Sequence, residues 1–212
     1  MSVPGWFPDG VDGLDATADP HQWMRRRLFD RRVVILDGVL DDARSTEVGV
    51  GLMTLDADGD DAVDLQIDCA GGSTGAALAL MDIIDLLGVT VRAWCTGQAG
   101  GPVVGVLAVS HQRTMSVHAR LHLVEPTVEF EGSARNLQQL ADAHAAQWST
   151  FCRRLADVTG QPLDRIEADA DRGRYLTAPE AVAYGLVDDV AVRDRGDAGP
   201  GRSLGFRPDP AG

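Results

Sequence analysis

Two glycine-rich turns carry the part of this 212-residue chain best placed to hold a ligand: Ala70-Gly71-Gly72-Ser73-Thr74 and Thr96-Gly97-Gln98-Ala99-Gly100-Gly101. Around them stand the side chains with chemistry to offer. Cys69 and Ser73 flank the first turn, and His122, Asp169 and Asp171 follow later in the chain. A thiol paired with an imidazole makes a nucleophile with its base, so Cys69 and His122 form a weak alternative candidate pair. Ser73 reads more simply as the cap of the helix after it. His122 reads as a packed or solvated histidine, and Asp169 and Asp171 as solvated helix residues. Cys69, Cys95 and Cys152 are odd in number, widely spaced and in no CxxC or Cys/His cluster. They read as reduced, buried thiols, with neither a metal nor a disulfide framework.

The elements around these turns alternate. Val33–Leu36 begins a buried strand, a helix follows from about 41 to 55, and Asp64–Cys69 alternates as a strand does. After the first turn, Ala76–Leu87 is apolar at helical spacing, and Gly88 is expected to close that helix. Val89–Cys95 is a strand, and the second glycine turn opens a helix reaching about Ser110. Short strands fit 114–118 and 120–124. A long amphipathic helix runs from Ser133 to about Ala156 through Leu137, Leu140, Ala141, Ala145, Trp148 and Phe151. Shorter helices fit 162–170 and 177–184, and Leu186–Val192 ends the domain. Strands alternating with helices predict an α/β fold of βαβ units on a largely parallel sheet. In such sheets ligands sit at the carboxyl ends of strands, where both glycine turns fall. Residues 1–20 read as a flexible arm, 21–192 as one domain and 193–212 as a disordered tail.

Composition narrows the partners. The chain carries 32 acidic and 19 basic residues, a formal net charge of −13, and every basic residue is arginine. A pI near 4.6 argues against nucleic acid or an anionic membrane, both of which need a cationic face. No basic-then-apolar leader opens the sequence. The longest clean apolar run, Val103–Val109, is too short to span a bilayer. A cytoplasmic protein without cofactor is expected.

Several segments resemble one family, the proteolytic subunit of the ATP-dependent Clp protease, ClpP. Ile67-Asp-Cys-Ala-Gly-Gly72 is similar to its I-N-S-P-G-G, and Gly97-Gln98-Ala99 to the G-Q-A before its nucleophile. Arg120 and Pro126 flank its histidine strand. Thr159–Glu167 is close to T-G-Q-x-L-E-Q-I-E, and Leu176–Val187 to S-A-x-E-A-V-E-Y-G-L-I/V. The likeness spans about residues 25–192. It implies the ClpP/crotonase-like fold, with stacked βαβ units and a protruding handle helix, which Glu131-Gly-Ser133 and the long helix match. It also implies two stacked seven-membered rings, homomeric or mixed, a catalytically competent ClpP-type paralogue and a Clp-family ATPase unfoldase as partners.

Carried over residue by residue, the family's Ser-His-Asp triad falls on Gly101, Val124 and Gly173, none of which has the functional group. Gly101 has no nucleophilic atom, and Val124 can neither take nor return a proton. Of the two backbone donors of the family's oxyanion hole, Gly72 survives. The other falls on Pro102, which has no N–H, and losing one such donor costs about 10²–10³ in rate. His122 lies two residues before Val124 on the same strand face, displaced by roughly 6–7 Å. The resemblance therefore implies a non-catalytic ring subunit. The alternatives are a serine- or cysteine-type endopeptidase with relocated groups, and an acyl-CoA-binding crotonase-like protein, which Pro102 also weakens.

Overall fold

The structure is a computed structural model that describes residues 20–191. The tail expected over 193–212, and the arm expected over 1–20 apart from Pro20, lie outside the described residues. Chain order runs α1 (Pro20–Phe29), β1 (Val33–Leu40), α2 (Asp42–Ala57), β2 (Val63–Gly72), α3 (Thr74–Leu86), β3 (Val91–Gly100) and α4 (Val103–Val109). It continues through β4 (Gln112–Ser116), β5 (Arg120–Leu123), α5 (Ala134–Thr159), α6 (Leu163–Asp171), β6 (Arg174–Leu176), α7 (Ala178–Tyr184) and β7 (Asp189–Ala191).

β1, β2, β3, β4 and β7 lie side by side in that order, all parallel. Space order follows chain order, so crossovers of one hand place successive helices on the same face. The burial pattern agrees with this. Along β2, Val63, Leu65, Ile67 and Cys69 are buried, while Asp64 and Gln66 are partly exposed. The buried face meets Val48, Leu52 and Leu55 of α2, Leu80, Met81 and Ile84 of α3, and nearly all of α4. On the opposite face a hollow of about 460 Å³ opens over Asp64, Gln66, Arg92, Trp94 and Thr114. Asp41 caps α2 by accepting from the Arg44 N–H at 2.7 Å. Ser73 caps α3, as its position predicts. Arg113 ties β7 to the sheet through Asp188 and through the carbonyls of Ala108 and Gly185.

Four details differ from the sequence reading. Gly88 does not close α3 with a left-handed turn: the helix ends at an extended Leu87, and Asp56 of α2 accepts from both the Gly88 and Val89 N–H groups at 2.9 Å. The second glycine stretch is not a turn until Gly101. Residues 98–100 continue β3 because β5 pairs with them, Gln98 opposite Arg120 and Gly100 opposite His122. A three-residue strand, β6, which the sequence pattern does not announce, pairs antiparallel with β5. Asp169 is not solvated. It is 7% exposed and accepts from the Tyr184 hydroxyl and from Arg174, both at 2.9 Å.

Candidate functional site

The carboxyl end of β3, the end of β5 and the start of β6 come together at one point. Gly101 follows β3 with φ +52°, and its N–H donates to the His122 carbonyl at 2.8 Å. A Cβ on Gly101 would lie 3.4 Å from the Val124 carbonyl oxygen and 4.0 Å from its Cγ1. A Cβ on Gly173, at φ +62°, would lie 3.9 Å from Val124 Cγ2. The valine side chain therefore sits between the two glycines. Positions 101, 124 and 173, which span 72 residues of sequence and to which the resemblance assigns nucleophile, base and orienting acid, share one small volume. That volume holds an isopropyl group and no heteroatom side chain from any of the three.

The remaining candidates surround this point. Pro102 stands at the start of α4 with φ −62° and ψ −19°. This fits a proline at a helix N-terminus, where the missing N–H is no structural loss. Gly72 ends β2 opposite Leu40, and Ser73 N–H donates to the Leu40 carbonyl at 2.8 Å. His122 stacks on Tyr175, ring centroids 3.9 Å apart and 5° from parallel. Its Nε2 lies 3.3 Å from where a Cβ on Gly173 would be. The imidazole thus borders the acid position.

Cys69 is fully buried and donates its S–H to the Gly71 carbonyl at 3.4 Å. Burial, the largest influence, raises its pKa above the ordinary thiol value. A thiol held protonated is a poor nucleophile. Burial likewise pushes Cys95 and Cys152 up to about 12. All three cysteines are free. In the native protein none is expected to react with iodoacetamide at pH 7.5, and all three are expected to react in guanidinium, as intact-mass analysis would show. The same burial has a sign in pH. The folded state retains thiol protons that the unfolded chain releases above about 8.5. This contribution is complete below that pH and is lost as pH rises toward 12. The melting temperature should therefore fall between pH 8 and pH 10.5.

One contact at the site has no counterpart in the sequence reading. A Cβ on Gly100 would lie 1.9 Å from the Ala70 carbonyl oxygen, so the first glycine turn rests directly on the end of β3. The signal available for it was the Gly-Gly pair at 100 and 101. Among the described residues no group of three or more His, Cys, Asp or Glu side chains could hold a metal ion. No described helix is long and apolar enough to cross a membrane.

With this geometry in hand, comparison with known proteins gives a consistent match. The sequence model of the Clp protease family matches residues 18–194. The chain is 34% identical over 170 residues to ATP-dependent Clp protease proteolytic subunit 4 of Rhodococcus jostii, covering 78% of this chain and 87% of that one. It is 31% identical over 170 residues to ATP-dependent Clp protease proteolytic subunit 1 of Mycobacterium bovis, covering 79% and 85%.

Proposed function

The chain belongs to the Clp protease family, and from that premise we propose that it is a non-catalytic, structural or regulatory subunit of a Clp-type protease ring. One observation carries this reading: positions 101, 124 and 173 converge, and Gly, Val and Gly supply no hydroxyl, imidazole or carboxylate there. Peptide hydrolysis by this family's route needs an oxygen nucleophile, a base within hydrogen-bond reach, and donors aimed at the developing oxyanion. Pro102 withdraws one donor as well. The chain would act in the cytoplasm beside a catalytically competent ClpP-type paralogue and a Clp-family ATPase unfoldase, shaping the chamber or setting the number of active sites.

Native mass spectrometry of the tagged protein isolated from its own cells tests this. The expected result is a large ring that also contains a serine-bearing ClpP-type subunit. A ring of this chain alone, or a free monomer, would overturn the mixed-ring reading. The relocated-site reading draws no support from Cys69, whose thiol is buried and held protonated.

A further inference from the structure

The hollow of about 460 Å³ lies over the first residues of β2, β3 and β4, at the opposite end of β3 from Gly101. Nothing at the candidate site uses it. Its volume is that of a ligand pocket, roughly 300–1,000 Å³. Leu28, Val33 and Trp94, all half-buried, give it apolar walls. The Trp94 N–H donates to the Ser116 hydroxyl at 3.0 Å, which fixes the indole and leaves its ring for packing. Of the charged side chains in the lining, Arg92 and Asp64 neutralise each other at 2.6 Å. Such a hollow suits an apolar or aromatic side chain and not an ion.

The chain itself leaves from this hollow. Ala191, the last described residue, is part of the lining, and residues 192–212 follow it. Beyond Val192 the large apolar side chains of that stretch are Leu204 and Phe206 alone. They stand two apart, on one side of an extended segment. β7 runs parallel to β4, so the chain after Ala191 heads away from the first residues of the strands and must reverse to reach them. Gly199-Pro200-Gly201 is a turn sequence placed to do so. Fully extended, 192–203 spans about 40 Å, ample to double back. Charge favours the same return: residues 198–207 carry Arg202 and Arg207 and no carboxylate, while the whole chain has a net charge of −13. We infer that Leu204 and Phe206 occupy this hollow, Phe206 against the Trp94 ring, so that the carboxyl-terminal segment is a built-in ligand that closes the site to an outside apolar peptide. The amino-terminal stretch, with Trp6 and Phe7, is the poorer occupant. It joins the domain at Pro20, about 12 Å along α1 from Leu28, and carries Asp9, Asp12, Asp15 and Asp19 with no arginine. The inference goes beyond the ring-subunit reading and stands without it.

The test uses the full chain. With p-benzoylphenylalanine in place of Phe206, irradiation should link position 206 to peptides holding Val33, Asp64–Gln66 or Arg92–Trp94. A mixture of ¹⁴N- and ¹⁵N-labelled copies should show each link to lie within one copy. A fluorescein-labelled peptide of residues 201–208 should bind a Leu204→Ser/Phe206→Ser chain, whose described residues are untouched. Wild type should bind it about tenfold more weakly, because a tethered segment competes at an effective concentration of about millimolar. Adding Trp94→Ala to the double-serine chain should abolish binding of the peptide. Thr114→Arg, which fills the same hollow from another strand, should do so too, and it keeps the test valid if the tryptophan variant fails to fold. Links between copies would put a second copy in the hollow, and links to other parts of the surface would place the segment elsewhere. Either result overturns the inference. So does a peptide bound equally by both chains, or one bound by neither, as when the amino-terminal stretch holds the hollow.

Discussion

A variant carrying Gly101→Ser, Val124→His and Gly173→Asp together is expected to cleave a fluorogenic peptide only feebly, and adding Pro102→Ala to raise that rate by about 10²–10³. The wild type should show no hydrolysis above buffer. The three substitutions put a hydroxyl, an imidazole and a carboxylate on positions already side by side, though serine at 101 and aspartate at 173 must each hold a left-handed backbone, at φ +52° and +62°. A serine Cβ at 101 meets nothing closer than the Val124 carbonyl at 3.4 Å. At 173 the fit is tighter. The backbone has φ +62° and a new Cβ comes 3.3 Å from His122 Nε2, so His122 must yield by a few tenths of an ångström on its Tyr175 stack. Aspartate is among the residues that tolerate the left-handed region, which favours this order of repair.

Pro102 is the separate obstacle. Rebuilding the triad leaves the oxyanion with one backbone donor fewer than the family's site, because a pyrrolidine nitrogen at the start of α4 has no hydrogen. Alanine restores the N–H and removes little, since Pro102 makes no side-chain capping bond there. Equal rates for the triple and quadruple variants would show that the missing donor is not limiting. Hydrolysis by the wild type that survives Cys69→Ala and His122→Ala would show chemistry at a place neither the triad positions nor those two residues account for.

The nearness of 101 and 124 was readable because each lies close to a marked motif: Gly-Gln-Ala at 97–99 before the first, Pro126 after the second. Three other features depended on contacts distant in sequence. Residues 98–100 become strand only because β5 runs beside them; taken alone, a glycine-rich stretch reads as turn. Asp169 looks like a surface carboxylate until Tyr184, 15 residues away, brings its hydroxyl to it. The periodicity of α5 shows that one face is apolar and says nothing of what covers it. Its first half is bare and its second half buried, although both obey the same pattern.

Gly100→Ala is expected to destabilise the fold by about 3 kcal/mol, at the upper end for an added methyl group, with a melting temperature lower by roughly 6–12 °C. The new Cβ would stand 1.9 Å from the Ala70 carbonyl oxygen and 2.7 Å from its carbon, both backbone atoms. No rotamer change relieves that contact, so the whole 70–72 turn must retreat. It is anchored on both sides, by the Ser73 N–H on the Leu40 carbonyl and by the pairing of Cys69 with Ala99. Gly71→Ala is the control: its Cβ meets only the Gly100 carbonyl, at an ordinary 3.9 Å, and the melting temperature should scarcely move. A Gly100→Ala protein as stable as Gly71→Ala would mean that the turn yields easily, and that the space between turn and strand remains available to a ligand.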